Sequence, residues 1–381
     1  MHEPTFPPAD HYYSTCSCPN PSCPRRGQRG VGNIVHRSWT GKDKQIERLR
    51  CRQCGQEFSM RRGTLMEATK LPEATIARLL QCQRWGVCDA GTADICGVDI
   101  KTVHRFQHVA AQRAQAHHAQ VTRDLRVEAV QLDEMHSKRR GPRVEWLHTA
   151  IAMSSRFVLW VHWGPRTQES AALLIAQVVA RLCGVPVWLS DGWKAYPAAL
   201  LQVLGQVSRR RRRGRRGRYP KPRVGPPREL FYGQVVKVRD GTGKLLRVAT
   251  RVVDGGPRRF VQEMAGRGLR PSIQTAFMER WYGTLRGLCA PLRRRTRGSS
   301  ASPRRHRARL WLVVDLDNFV LPHTSLRQEG RPRTPAMAIG IAGHVWSNQD
   351  YIWYPVHPDP LSRLLMQQRV KELLTPALEA G

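Results

Sequence analysis

Four cysteines constrain the N-terminal part of this chain more tightly than any other feature. They fall in two close pairs, Cys18/Cys23 in CPNPSC and Cys51/Cys54 in CRQC, within a stretch (15–66) rich in glycine and arginine and poor in periodic apolar residues. Such a segment cannot fold by apolar burial alone and needs a staple. Two residues between thiols let one tight turn aim both at a single tetrahedral ion, and Gly55, directly after Cys54, supplies the dihedrals that turn demands. The four-residue spacing of the first pair also lies in the zinc-finger range, and the 27 residues between the pairs suffice for a hairpin. The four are read as ligands of one structural Zn2+ in a zinc ribbon over 15–66. Cys16 competes with Cys18 for the first position, with a six-residue gap to Cys23, and Cys18 is preferred. Cys82, Cys88 and Cys96, in a helical stretch, read as buried thiols.

The 381 residues include 63 Lys and Arg against 29 Asp and Glu, a formal net charge of +34. Solubility needs far less, so a polyanionic partner is expected, and nucleic acid is the usual one. The first residues lack the basic and apolar regions of a secretory signal, and no apolar run reaches the roughly 18 residues of a membrane span. The expectation is a cytoplasmic, nucleoid-associated protein with no membrane contact, whose thiols stay reduced.

Residues 67–120 change character. Leu71, Ile76, Leu79 and Leu80 recur at helical spacing, a short helix is expected around 93–96, and Asp99 is placed to cap a long basic helix. This is the spacing of a helix-turn-helix DNA-binding domain. Lys101, Thr102, His104 and Arg105 open its recognition helix and are expected to reach base edges or phosphates.

From 125 the apolar period switches. VEAVQLDEMHS, VEWLHTAIAM and RFVLWVHW read as successive strands, TQESAALLIAQVVARLCG as an amphipathic helix, and VPVWLSDG as a buried strand entering a turn. A hairpin is expected around Asp240-Gly241, with helices over 272–296 and in WLVVDLDNFVLPH. The pattern predicts a mixed α/β sheet over 125–330. An Arg-rich insertion, 208–227, interrupts it; its run at 209–218 reads either as a strap on DNA phosphates or as a solvated linker. The Pro-rich end, 331–381, is expected to be a loosely structured tail.

Acids are scarce, and three stand where a site would form. Asp133 ends the strand-like AVQLD, Asp191 ends VPVWLSD, and Glu279 lies on TAFMERWYGTLRG, off the core stripe of Phe277, Trp281, Leu285 and Leu288. Strand-end carboxylates beside a helix-borne glutamate can converge on one sheet edge, where open α/β sheets place their sites. Two carboxylates about 4 Å apart repel by roughly 4 kcal/mol at an effective dielectric near 20, so a cluster of three calls for a cation. Hard oxygen donors favour Mg2+ or Mn2+, and two such ions serve phosphoryl transfer. Glu134 competes with Asp133; neighbouring strand side chains point to opposite faces, so only one of the two is expected in the site.

The segments QLDEMHS, LSDGWKAYPAAL and QTAFMERWYGTLRGLCAPLRRRTRG, followed by LDNFVLPHTSLR and TPAMAIGIAGHVWS, resemble the catalytic domain of the insertion-sequence-one-type DDE transposases. CPNPSCP…RLRCRQCGQEFS resembles the zinc-binding end of the same family, and the resemblance spans roughly residues 16–348. It implies a ribonuclease H-like catalytic domain and three metal-binding acids, which fall on Asp133, Asp191 and Glu279. Arg280, Arg286 and His323 also match and are expected at DNA phosphates. Gln274-Thr275 stands where the family usually has Asn-Thr, so the resemblance does not carry that asparagine's contact over to this chain. The implied activity is metal-dependent DNA strand cleavage and strand transfer on terminal inverted repeats and target DNA, by a homo-oligomer on double-stranded DNA. The alternatives are a transposase-derived DNA-binding protein without catalytic activity and a nuclease that cuts without joining.

Overall fold

A computed structural model describes residues 13, 15–67, 69–137, 145–208, 222–289, 292, 302–357 and 360–375. The arginine run at 209–218 lies outside the described residues. The chain divides into two units, Met1–Gln120 with Trp346–Leu361, and Val121–Val345 with Ser362–Gly381.

In the first unit, β1 (Ile34–Thr40), β2 (Ile46–Cys51) and β3 (Glu57–Ser59) form an antiparallel sheet. Its small core gathers Ile34, Leu49, Phe58 and Met60 around the cysteines. Three helices follow: α1 (Glu73–Arg84), α2 (Asp89–Cys96) and α3 (Ile100–Val121). Ile76, Leu79, Leu80, Val103, Phe106 and Ala110 are buried, as their helical spacing requires. Gly97 closes α2 in the left-handed conformation at φ 63°, and Asp99 Oδ1 accepts from the Lys101 amide at 2.7 Å at the start of α3. Cys82 and Cys96 are buried thiols, but Cys88 is exposed and caps α2 by accepting from the Gly91 amide.

The second unit is mixed α/β. β4 (Ala129–Ser137), β5 (Glu145–Ala152) and β6 (Val158–Gly164) form an antiparallel meander; α4 (Gln168–Val179), β7 (Val187–Asp191) and α5 (Ala195–Leu204) follow. Beyond a small pair, β8 (Gln206–Ser208) and β9 (Arg223–Gly225), come β10 (Phe231–Arg239), β11 (Leu245–Asp254), α6 (Pro257–Gly266), α7 (Ala276–Leu288) and α8 (Pro303–Phe319). The six-stranded sheet runs β11-β10-β7-β4-β5-β6, with β7 parallel to both β4 and β10. On one face Ala129, Val187, Leu189 and Phe231 pack with Phe260 and Met264 of α6. Met135 and Leu147 extend that packing to Met278, Trp281 and Leu285 of α7 and to Leu310 and Val314 of α8. Among the described residues, no helix is long and apolar enough to cross a membrane.

Buried His306 of α8 sits 2.9 Å from Ser137 Oγ through Nε2. Burial lowers its pKa from 6.5 to about 4, helped by Arg309 and Arg307 and opposed by Glu145. A depressed folded-state pKa stabilises the fold above 6.5, and that contribution is lost as pH falls toward 4. At about 1.4 kcal/mol per pKa unit the loss approaches ~3 kcal/mol. His306→Gln should therefore flatten the fall in urea midpoint between pH 6.5 and 4.5. An equally steep fall in the variant would remove His306 as its source.

The C-terminal stretch is not the loose tail its prolines suggest. β12 (His323–Gln328) and β13 (Arg331–Arg333) make a hairpin, and α9 (Pro335–Ala338), α10 (Asn348–Trp353) and α11 (Pro360–Leu374) follow. Within the first unit, Tyr351 and Ile352 are fully buried, the Leu65 amide donates to Ile352 O at 3.0 Å, and the Val356 amide donates to Gly63 O at 2.9 Å. Gly63 has φ 77°, and a Cβ there would meet Val356 O at 2.7 Å, so only glycine allows this approach. The Arg29 guanidinium lies 3.7 Å from the Tyr354 ring centroid. Aromatic burial outweighs the loop-forming prolines here.

Candidate metal centres and nucleic-acid interface

The sulfurs of Cys18, Cys23, Cys51 and Cys54 lie within 4.8 Å of one another. Cys18 and Cys54 are 3.6 Å apart and Cys23 and Cys51 3.9 Å. Zn–S bonds of about 2.3 Å in a tetrahedron put sulfurs roughly 3.8 Å apart, so the four thiols fit zinc. The local turns explain the clustering. The Cys23 amide donates to Asn20 O, the Gly55 amide to Cys51 O, and Gly55 takes φ 72°. Burial pushes the Cys18 and Cys23 thiols up. Burial acts in the same sense on Cys54, but hydrogen bonds from Gln56, Asn20 and the neighbouring thiols bring it down to about 7. Cys16 is buried nearby but lies outside the four.

A second cluster forms where β4 and β7 lie side by side. Their parallel pairing reaches Leu132 opposite Ser190, and the next residue on each strand is an acid, Asp133 and Asp191. The two leave the same row toward the same face. Asp133 does not end its strand as AVQLD suggests: β4 continues to Ser137, paired, among the described residues, with β5 alone. Oxygens of Asp133, Glu134 and Asp191 all lie within 4.8 Å of one another, so both acids of the QLDE segment reach the cluster. The expectation that strand alternation admits only one is corrected. Past Asp191 no β7 backbone stands between the two faces, and glutamate's extra methylene extends its reach.

Burial, then the charges of Glu134 and Asp191, push Asp133 well above the usual carboxylate range, against a backbone hydrogen bond and Lys237. Burial and Asp191 push Glu134 up to about 7, against Tyr196 and Arg166. Crowded, partly buried oxygen donors of this kind are suited to a divalent cation. Glu279 is not in the group. Its side chain is 61% exposed, and Oε1 pairs with Lys237 Nζ at 3.4 Å. Its helix, α7, nonetheless packs on the sheet face that carries Asp133, through Met278 and Trp281 against Met135.

Arg166 escaped the sequence reading. Its Nε and Nη2 donate to Glu134 Oε1 at 2.9 and 2.7 Å, while the Tyr196 hydroxyl donates to Oε2 at 2.8 Å. The guanidinium stands between two indoles, 4.9 Å from the centroid of Trp146 and 5.0 Å from that of Trp193. No linear spacing links residues 134, 146, 166, 193 and 196; only the sheet and α5 bring them together. Arg166→Lys keeps the charge but loses the planar fork. It should weaken Mn2+ binding about 10- to 100-fold, the usual cost of a lost outer-shell partner. Calorimetric Mn2+ titration checks this, and an unchanged affinity would leave Arg166 without a role at the cluster.

On α3, Lys101 and Arg105 are exposed, and Thr102 and His104 are half-buried. His104 Nε2 lies 3.3 Å from Asp89 Oδ2, which ties it to α2. Arg280 is exposed on α7 and Arg286 half-buried, while His323 Nε2 is 3.4 Å from the buried Asp317 carboxylate. No family model matches the chain, and a search of curated proteins finds no match.

Proposed function

We propose that this protein is a DDE transposase: a DNA-cutting and DNA-joining enzyme with a ribonuclease H-like catalytic unit, a zinc ribbon and a helix-turn-helix. The observation that carries the reading is the placement of Asp133 beside Asp191. They stand on neighbouring parallel strands where the sheet switches from antiparallel to parallel pairing, on the face that α7 covers. Open α/β sheets bind ligands outside the carboxyl ends of their parallel strands, where Asp191 ends β7.

Glu134 is poorly suited to be the third ligand. Both its oxygens already accept hydrogen bonds, and Arg166 balances its charge. Glu279 suits the role better, because an exposed pair such as Glu279–Lys237 is worth only about 0–1 kcal/mol and releases the carboxylate easily. Mg2+ or Mn2+ held by Asp133, Asp191 and Glu279 would supply Lewis acidity to a phosphodiester and ease deprotonation of the attacking hydroxyl.

The chain's own groups do the rest. Arg166 and Tyr196 hold Glu134 in place, Lys237 and Arg280 present positive charge to the strand, and Lys101 and Arg105 reach the terminal repeats. The expected reaction is hydrolysis at each element end, which frees a 3′ hydroxyl. That hydroxyl then attacks a target phosphate in line, and the target's own 3′ oxygen leaves. The test is incubation with Mg2+ and duplex DNA carrying the repeats that flank the coding segment. Joined products support the reading; cleavage without joining reduces it to a nuclease, and binding without cleavage to a DNA-binding protein.

A further inference from the structure

β7 ends at Asp191, opposite Val235 of β10. Beyond that row, among the described residues, β10 keeps only β11 beside it, through Val236↔Ala249, Lys237↔Val248 and Val238↔Arg247. A two-stranded ribbon therefore projects from the edge of the acidic cluster. Its turn is rigidly made: Asp240 Oδ1 accepts from the Thr242 amide at 3.0 Å, the Thr242 hydroxyl at 2.7 Å and the Lys244 amide at 2.8 Å. Asp240 is the sole acid between 236 and 249, and the turn occupies its carboxylate. Lys237 pairs with Glu279, and the outward charge is left to Arg239, Lys244 and Arg247, all exposed. Leu246, at the register shift between Val238↔Arg247 and Arg239↔Leu245, and Val248 are 62% and 56% exposed.

We infer that the free end of the β10–β11 ribbon is laid into a groove of duplex DNA. This rests on the reading of the protein as a DNA-processing enzyme. A major groove about 12 Å wide admits a two-stranded ribbon, and its floor offers thymine methyl groups to apolar side chains. Arg239, Lys244 and Arg247 would meet the flanking phosphates, which sets register without reading sequence. Leu246 and Val248 would lose their exposure to water against base edges. An open, partly apolar edge strand can also pair with a second copy of itself. The basic charge, with no free acid to balance it, favours DNA, since like-charged ribbons repel.

The test is binding of a fluorescent 30-base-pair random duplex across a KCl series, with the full chain in two variants. Arg239→Ser/Lys244→Ser/Arg247→Ser should make the log–log salt slope shallower by about 2.7, from about 0.9 per phosphate contact. Leu246→Ser/Val248→Ser should weaken binding about 10-fold with the slope unchanged, roughly 1.4 kcal/mol of non-ionic contact. Unchanged slope and affinity in both would overturn the inference. So would a fall in solution mass for Leu246→Ser/Val248→Ser with DNA affinity intact, which would assign the edge to self-pairing. Mg2+-dependent cleavage of the flanking-repeat duplex is scored separately. Failed cleavage with a changed slope would count against the proposed enzyme and for the ribbon.

Discussion

Asp133→Ala and Asp191→Ala should each lower Mg2+-dependent strand cleavage by at least about 1,000-fold, some 4 kcal/mol of activation free energy. Duplex affinity should stay within about threefold, because binding is assigned to α3 and to basic side chains, not to the carboxylates themselves. Glu279→Ala should match these losses. Glu134→Gln should cost only about 10- to 100-fold, as expected of a group that positions others. Gel-resolved cleavage with the four variants decides the ligand set. A larger loss in Glu134→Gln than in Glu279→Ala would move Glu134 into it and Glu279 out.

Loss of zinc should be the most damaging change to the first unit. Structural zinc binds with roughly 10–16 kcal/mol in comparable coreless modules, as much as the whole stability of an ordinary domain. The buried residues around Leu49 and Phe58 are too few to replace it. Native mass spectrometry of the full chain should find one zinc, and Cys51→Ala should abolish it. A strong chelator should open 15–66 to protease while the six-stranded sheet stays resistant. A folded, protease-resistant chain free of zinc would sink the assignment.

What could be read from the sequence was local. The cysteine pairs needed only short turns, Asp99 capped the helix that begins beside it, and Asp240-Gly241 lay in a short turn between alternating runs. Asp133 and Asp191 stood out because each follows a run of buried strand residues. The reading failed where distance along the chain mattered. The strand read in VEAVQLDEMHS does reach Ser137, but nothing local marks its bond to His306, 169 residues away. Arg166 has no local signature, because its carboxylate and both indoles come from other elements. Residues 346–356 gave one proline and scattered aromatics, whose core lies far upstream.

The first unit is stitched from two ends of the chain, because Gly63 and Leu65 bond backbone groups of Val356 and Ile352. A ribosome adding about 5–20 residues per second needs roughly 15–60 s to go from the first of these partners to the second. The six-stranded sheet can assemble during that wait, while the N-terminal unit stands with part of its interior still unmade. Nascent chains, and fragments that stop short of Ile352, would therefore lack a finished N-terminal unit. If that unit is the one that grips DNA, such products cannot occupy sites meant for the full-length protein.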